Sequence, residues 1–201
     1  SISIPLGVVM ALISLQANIP RYFLQIYAGE EAVGFFGAIV YPMMAGIVVT
    51  GALGQSASTR LARSFAVDLP EFQRLLGRFT AFSAALGLVI VVGTYVFGRP
   101  LLRVMYGPSF ADYYSEFVVV ALACGIQLVS SCWGYGMTAA RFFRTQVAIT
   151  VGSCIATTVA AYVLVPRYGV MGASQAVLAT SLIMAVGFAL AMSWAVRSQR
   201  V

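Results

Sequence analysis

Ser14, Asn18, Arg21 and Gln25 are polar residues inside the first apolar run of a 201-residue chain. Their spacing is i, i+4, i+7 and i+11, which puts all four on one face of an α-helix. The rest of that helix reads as apolar. A guanidinium flanked by two amides and a hydroxyl is a receptor for an anion, because Arg presents a planar fork of donors matched to phosphate or pyrophosphate. The competing role for Arg21 is an anchor, with its guanidinium reaching the headgroups at the near end of the helix. In a membrane helix such a polar face turns from lipid toward the bundle or a water-filled cavity.

A second stripe lies on a later apolar run, where Gln127, Ser131, Tyr135 and Thr138 share one helical face. Thr150, Ser153, Thr157 and Thr158 follow on the next run. Hydroxyls in such helices bond their own i−4 carbonyls or a neighbouring helix, so packing is the plainer role for most of them. The acids carry a message by their placement. Glu30, Glu31, Asp68, Glu71 and Asp112 fall outside the apolar runs, and Glu116 borders one. A pump for cations, or a proton or sodium relay, places a carboxylate at membrane depth. Here an arginine stands there instead, and an anionic substrate is expected. Cys124, Cys132 and Cys154 lie within apolar runs with no CxxC spacing and no His in the chain. They read as small packing thiols, and no metal and no cofactor are expected. Neither a GxGxxG nor a P-loop pattern occurs.

The elements that position these residues follow from composition. The chain is 61% hydrophobic and 9% charged, against roughly 45–50% and about 25% for a soluble domain. That excludes an ordinary soluble globule and a disordered chain, and it indicates an all-α polytopic membrane protein. A 30 Å hydrocarbon core takes about 20 apolar residues in a helix. Six stretches qualify, over 5–27, 33–57, 79–98, 117–140, 147–165 and 173–196. Gly29-Glu30-Glu31, Gly107-Pro108-Ser109 and Pro166-Arg167-Tyr168-Gly169 read as turns between them. The 58–78 connection carries Asp68-Leu69-Pro70-Glu71, a capping sequence, followed by Phe72, Leu75 and Leu76 at helical spacing. It predicts a short amphipathic surface helix.

All twelve basic residues are Arg. Arg60, Arg63, Arg74 and Arg78, then Arg141 and Arg144, then Arg197 and Arg200 fall on one side of six spans. Arg99, Arg103 and Arg167 fall on the other. The positive-inside rule puts the first set, and both ends of the segment, in the cytoplasm. No basic stripe with interleaved aromatics appears, so nucleic acid is not an expected partner. The chain starts at Ser1 and enters an apolar run at once, which reads as a piece of a longer protein.

Several motifs, in order, carry a resemblance. Asn18-Ile19-Pro20-Arg21-Tyr22 is followed by Gly29-Glu30-Glu31-Ala32-Val33-Gly34-Phe35-Phe36. Leu102-Arg103-Val104-Met105-Tyr106-Gly107 precedes Tyr113, the Arg141-Phe142-Phe143-Arg144 turn follows, and Leu164-Val165-Pro166-Arg167-Tyr168-Gly169-Val170-Met171-Gly172-Ala173 comes last. Together they resemble the polysaccharide-exporting, O-antigen flippase branch of the multidrug/oligosaccharidyl-lipid/polysaccharide (MOP) exporter superfamily. The resemblance covers nearly the whole chain and implies a MATE-like lobe of six helices, the second half of a protein whose N-terminal lobe is absent. It implies that a polyprenyl-pyrophosphate-linked oligosaccharide, such as an O-antigen or exopolysaccharide unit, is flipped across the cytoplasmic membrane by alternating access. Arg21 would then attract the pyrophosphate, with Asn18 and Gln25 beside it. Ser14, Gln127, Ser131 and Tyr135 complete the expected cavity lining.

Three other roles compete with this one. A multidrug or cation antiporter of the same superfamily lacks its carboxylate in this segment. An enzyme acting on polyprenyl phosphates would gather acids, His or metal ligands at a membrane face. A non-transporting scaffold would bury its polar stripes dry.

Overall fold

The computed structural model describes residues 3–198. Among them there is no β-strand. Five α-helices and one 3-10 turn make the fold: α1 (Ser3–Tyr27), α2 (Gly29–Val67), α3 (Leu69–Tyr106), the turn Pro108–Tyr113, α4 (Tyr114–Ala139) and α5 (Phe143–Ser198). α2, α3, α4 with its preceding turn, and α5 are each long and apolar enough to cross a membrane.

α5 is made of two helical arms that meet at a kink. Gly169 has φ 53° and ψ −125°, outside the helical region, a conformation that glycine adopts without a Cβ clash. The chain doubles back there. Thr157 and Thr180 Oγ1 lie 2.6 Å apart although 23 residues separate them, and a straight helix would hold them about 34 Å apart. At the turn itself a Cβ on Gly172 would collide with the Leu164 carbonyl oxygen, so only glycine fits. α5 is thus a hairpin of two arms, and six helical rods result.

The rods alternate in direction. Gln16 meets Ser153 and Phe23 meets Tyr162, so α1 runs parallel to the first arm of α5. Met43 meets Cys124 and Gly51 meets Tyr135, so α2 runs parallel to α4. Ser83 meets Cys132 and Tyr95 meets Tyr114, so α3 runs antiparallel to α4. Gly134 lies by Phe188 and Gly136 by Met192, which sets the second arm parallel to α4. α4 is the central rod, touching α2, α3 and α5.

The two ends of the bundle differ in chemistry. At one, the turns use Gly29, Gly107 and Gly169, all with positive φ. At the other, the turns are Asp68 and the Ala140–Phe142 corner, and Arg60, Arg63, Arg74, Arg78, Arg141 and Arg144 gather. We call them the glycine end and the arginine end. Arg200 and the side chain of Arg197 lie outside the described residues. Arg141 itself takes φ 61°. Its N–H bonds the Thr138 carbonyl at 3.1 Å and that of Phe142 the Met137 carbonyl at 3.0 Å, the paired bonds of a Schellman motif.

The expected amphipathic surface helix is not a separate element. α2 runs on to Val67 and α3 begins at Leu69, so Asp68 alone breaks the helix. Its carboxylate caps α3 by accepting the Glu71 N–H at 3.1 Å, with Pro70 in the first turn. Phe72 and Leu76 are buried with Leu61, Met137, Met184 and Phe188 in one of two apolar cores. Their periodicity marks the inner face of α3 rather than a membrane-surface face. Likewise Glu30 and Glu31 belong to the first turn of α2, not to a loop. A hydropathy window finds only the bilayer-thick part of a helix, whereas caps set where the helix ends. α3, at 38 residues, is about 57 Å long, against about 30 Å of hydrocarbon. The second core, built on Leu24, Phe36, Ile39, Leu102, Phe117 and Val165, fills the glycine half.

Candidate functional site

α1 has two faces of different kinds. Val9, Gln16, Ile19, Pro20 and Leu24 are buried against α5 and α2. On the other side Ser14 and Gln25 are exposed, and Asn18 and Arg21 are half-buried. At 100° per residue, Gln16 stands about 200° from Ser14, on the far side of the helix from the stripe. The stripe therefore faces away from the rest of the bundle.

Within the stripe the Asn18 amide donates to the Ser14 carbonyl at 2.9 Å, which fixes its direction along the helix. Among the described residues Arg21 has no hydrogen-bond or ion-pair partner. α1 contains no acid to neutralise it. A guanidinium left unpaired on an open polar face keeps its donors for a ligand, a headgroup or water.

The second stripe does not join the first. Ser131 Oγ donates to the Gln127 carbonyl at 2.8 Å, within α4. Tyr135 leans on α2: its hydroxyl donates to the Gly51 carbonyl at 3.4 Å, and its ring fills the place of a Cβ on Gly54. Thr138 bonds the Gly134 carbonyl at 3.0 Å and Gln146 Oε1 at 3.1 Å. No hydrogen bond connects Gln127, Ser131 or Tyr135 to the α1 stripe among the described residues. Ser131, Tyr135 and Thr138 are half-buried at helix seams. Of the expected lining, the structure groups Ser14, Asn18, Arg21 and Gln25, and sets the α4 residues apart.

A buried polar seam joins α1 to α5: Thr150, Ser153 and Thr157 take the packing role expected of them, and Gln16 is the member that the sequence did not single out. Ser153 Oγ donates to Gln16 Oε1 at 3.0 Å and approaches the Thr150 carbonyl at 2.8 Å. Gln16 Nε2 donates to Met184 Sδ at 3.3 Å. One turn on, Thr157 meets Thr180. This seam ties α1 to both arms of α5 through buried, uncharged side chains, so it is structural. The signal that could have found Gln16 is the Thr150, Ser153 and Thr157 face, which needs a polar partner if it is buried.

The acids sit at the ends. Glu31, Asp112 and Glu116 lie near Tyr113 at the glycine end. Among the described residues the acids that belong to helices, Glu30, Glu31, Glu71 and Glu116, all stand in first turns.

Compared with known proteins, the chain is 21% identical over 190 residues to a capsular polysaccharide biosynthesis protein, CapF, of Staphylococcus aureus, matching 93% of this chain and 48% of that protein. Among solved structures it resembles a MOP superfamily transporter from Pyrococcus furiosus with a TM-score of 0.79 and 20% identity, over 94% of this chain and 42% of the transporter. No family model matches. The chain spans about half the length of the curated relative, and it has the all-α, multi-pass membrane fold of one part of a MOP transporter.

Proposed function

We propose that the chain is one six-span lobe of a membrane transporter that flips polyprenyl-pyrophosphate-linked oligosaccharide across the cytoplasmic membrane by alternating access. One observation carries the reading: the α1 stripe with its unpaired Arg21 faces out of the bundle, where a second lobe would enclose it as a cavity wall. Half the relative's length remains to supply that lobe. An enclosed guanidinium with no carboxylate nearby attracts a pyrophosphate and repels a cationic drug. Asn18, Ser14 and Gln25 supply neutral hydrogen-bonding groups suited to sugar hydroxyls. The arginine end is cytoplasmic on this reading, and the glycine end faces outward. No step of covalent chemistry is required of the chain.

The test is rescue of a flippase-null strain by the full-length gene, beside a drug-efflux assay. Rescue is expected. Arg21→Ala, at equal protein level, should cut export about tenfold or more, since a buried charge-assisted hydrogen bond contributes roughly 1.5–3 kcal/mol, and Arg21→Lys should retain part of it. Efflux without rescue overturns the proposal in favour of an antiporter. Normal export with Arg21→Ala returns Arg21 to the role of an anchor.

A further inference from the structure

The exposed aromatic residues of the glycine end form a belt. Tyr22 and Tyr27 on α1, Tyr95 and Phe97 on α3, and Tyr162 and Tyr168 on α5 are each about half exposed or more. All six lie on rods that run toward the glycine end and in their last third there. Tyr and Trp collect at headgroup level in membrane proteins, where an amphipathic ring meets both lipid and water. The belt therefore locates one membrane interface.

Two arginines stand at that height. Arg99 and Arg103 follow Phe97 by two and six residues, about 3 and 9 Å farther along α3. At i and i+4 they share a helix face. They line a cleft of about 580 Å³ with Pro100, Asp112, Tyr114 and Ser115. The cleft is built rather than incidental. The Tyr114 ring lies against Gly98 on the α3 backbone, its hydroxyl donates to the Tyr95 carbonyl at 2.8 Å, and the Arg99 guanidinium sits 5.1 Å from its centroid. That ring stacking steers Arg99 while leaving its N–H donors free. Among the described residues the one ion pair is Arg74–Glu71, so neither Arg99 nor Arg103 is paired, although Asp112 borders the same cleft.

We propose that Arg99 and Arg103, with the Ser115 hydroxyl, bind the phosphate headgroup of a lipid in the leaflet at the glycine end. Two guanidinium forks and a hydroxyl match phosphate oxygens, the belt sets them at headgroup depth, and the cleft admits a headgroup from the side. Asp112 weakens the site by repulsion and limits how long the lipid stays. This site goes beyond the transport reading and does not depend on what Arg21 binds.

The experiment measures lipid retained by the full chain in phosphatidylcholine nanodiscs doped with phosphatidylglycerol or, separately, with polyprenyl pyrophosphate, read by native mass spectrometry. R99A/R103A should retain about tenfold less of the doped lipid, R99K/R103K should keep most of it, and D112N should retain more. R60A/R63A, at the other end, should match the parent. Loss with both lipids identifies a general headgroup site, and loss with polyprenyl pyrophosphate alone makes it a site for the transported lipid. Equal retention by R99A/R103A and the parent overturns the proposal, as does unchanged retention by D112N. Arg21→Ala with full retention but no export would separate this site from the transport site.

Discussion

Ser153 Oγ on α5 donates to Gln16 Oε1 on α1 at 3.0 Å, across 137 residues of chain, and both side chains are buried. A hydroxyl has one proton, which Ser153 divides between Gln16 and the Thr150 carbonyl. The two partners are therefore unequal. Ser153→Ala strands the Gln16 carbonyl oxygen, whereas Gln16→Leu leaves Ser153 bonded to Thr150. Ser153→Ala should cost about 1–2 kcal/mol and Gln16→Leu less, with a coupling near 0.6 kcal/mol typical of interhelical bonds in membranes. Unfolding in detergent for the two single variants and the double variant measures this. A larger loss for Gln16→Leu would contradict the assignment.

The faces of α1 should differ in access to water. In a chain with its three cysteines replaced, Gln25→Cys and Asn18→Cys should react with a water-soluble thiol reagent, and Gln16→Cys should react at least about tenfold more slowly, because attack requires a solvated thiolate. The scaffold role predicts uniformly slow labelling at positions 18 and 25. Labelling rates in intact membranes decide between them.

Gly54 exists for Tyr135. A methyl group at position 54 would occupy the place of the ring, so Gly54→Ala should destabilise the bundle by about 1–3 kcal/mol, the usual cost of overpacking. Tyr135→Val in the same chain should recover a large part of that. A thermal melt of the single and paired variants checks it, and absence of recovery would mean that α2 and α4 do not meet through this pair.

Asp68 alone turns α2 into α3. Asp68→Ala removes the acceptor for the Glu71 N–H and should cost about 1 kcal/mol, while Asp68→Ser should keep most of the cap. Hydrogen exchange of the first turn of α3 is the local measure, and faster exchange is expected in Asp68→Ala only.

Much of this architecture was legible because its causes are local. The apolar runs marked the rods, the capping sequence at Asp68 marked a helix start, and the four-residue spacing of Ser14, Asn18, Arg21 and Gln25 marked one face. The missing parts depend on distant chain. Gln16 is a single polar residue with no periodic companion, and its partners lie on α5. Tyr135 shares a helical face with Gln127 and Ser131, but only the glycines of α2 determine that its ring is used for packing. The overrun of α2 and α3 past the hydropathy windows follows from polar residues that continue a helix as well as apolar ones do. Inner and surface amphipathic faces have the same period, which is why Phe72 and Leu76 pointed to a surface helix.

The opposed faces of α1 also restrict how it can move. Rolling it about its own axis would break the Gln16–Ser153 bond and turn Arg21 toward a dry core, both costly. Tilting it about that bond keeps each face in its own medium. A rearrangement of this helix that spares both is therefore a pivot, which preserves the orientation of Arg21.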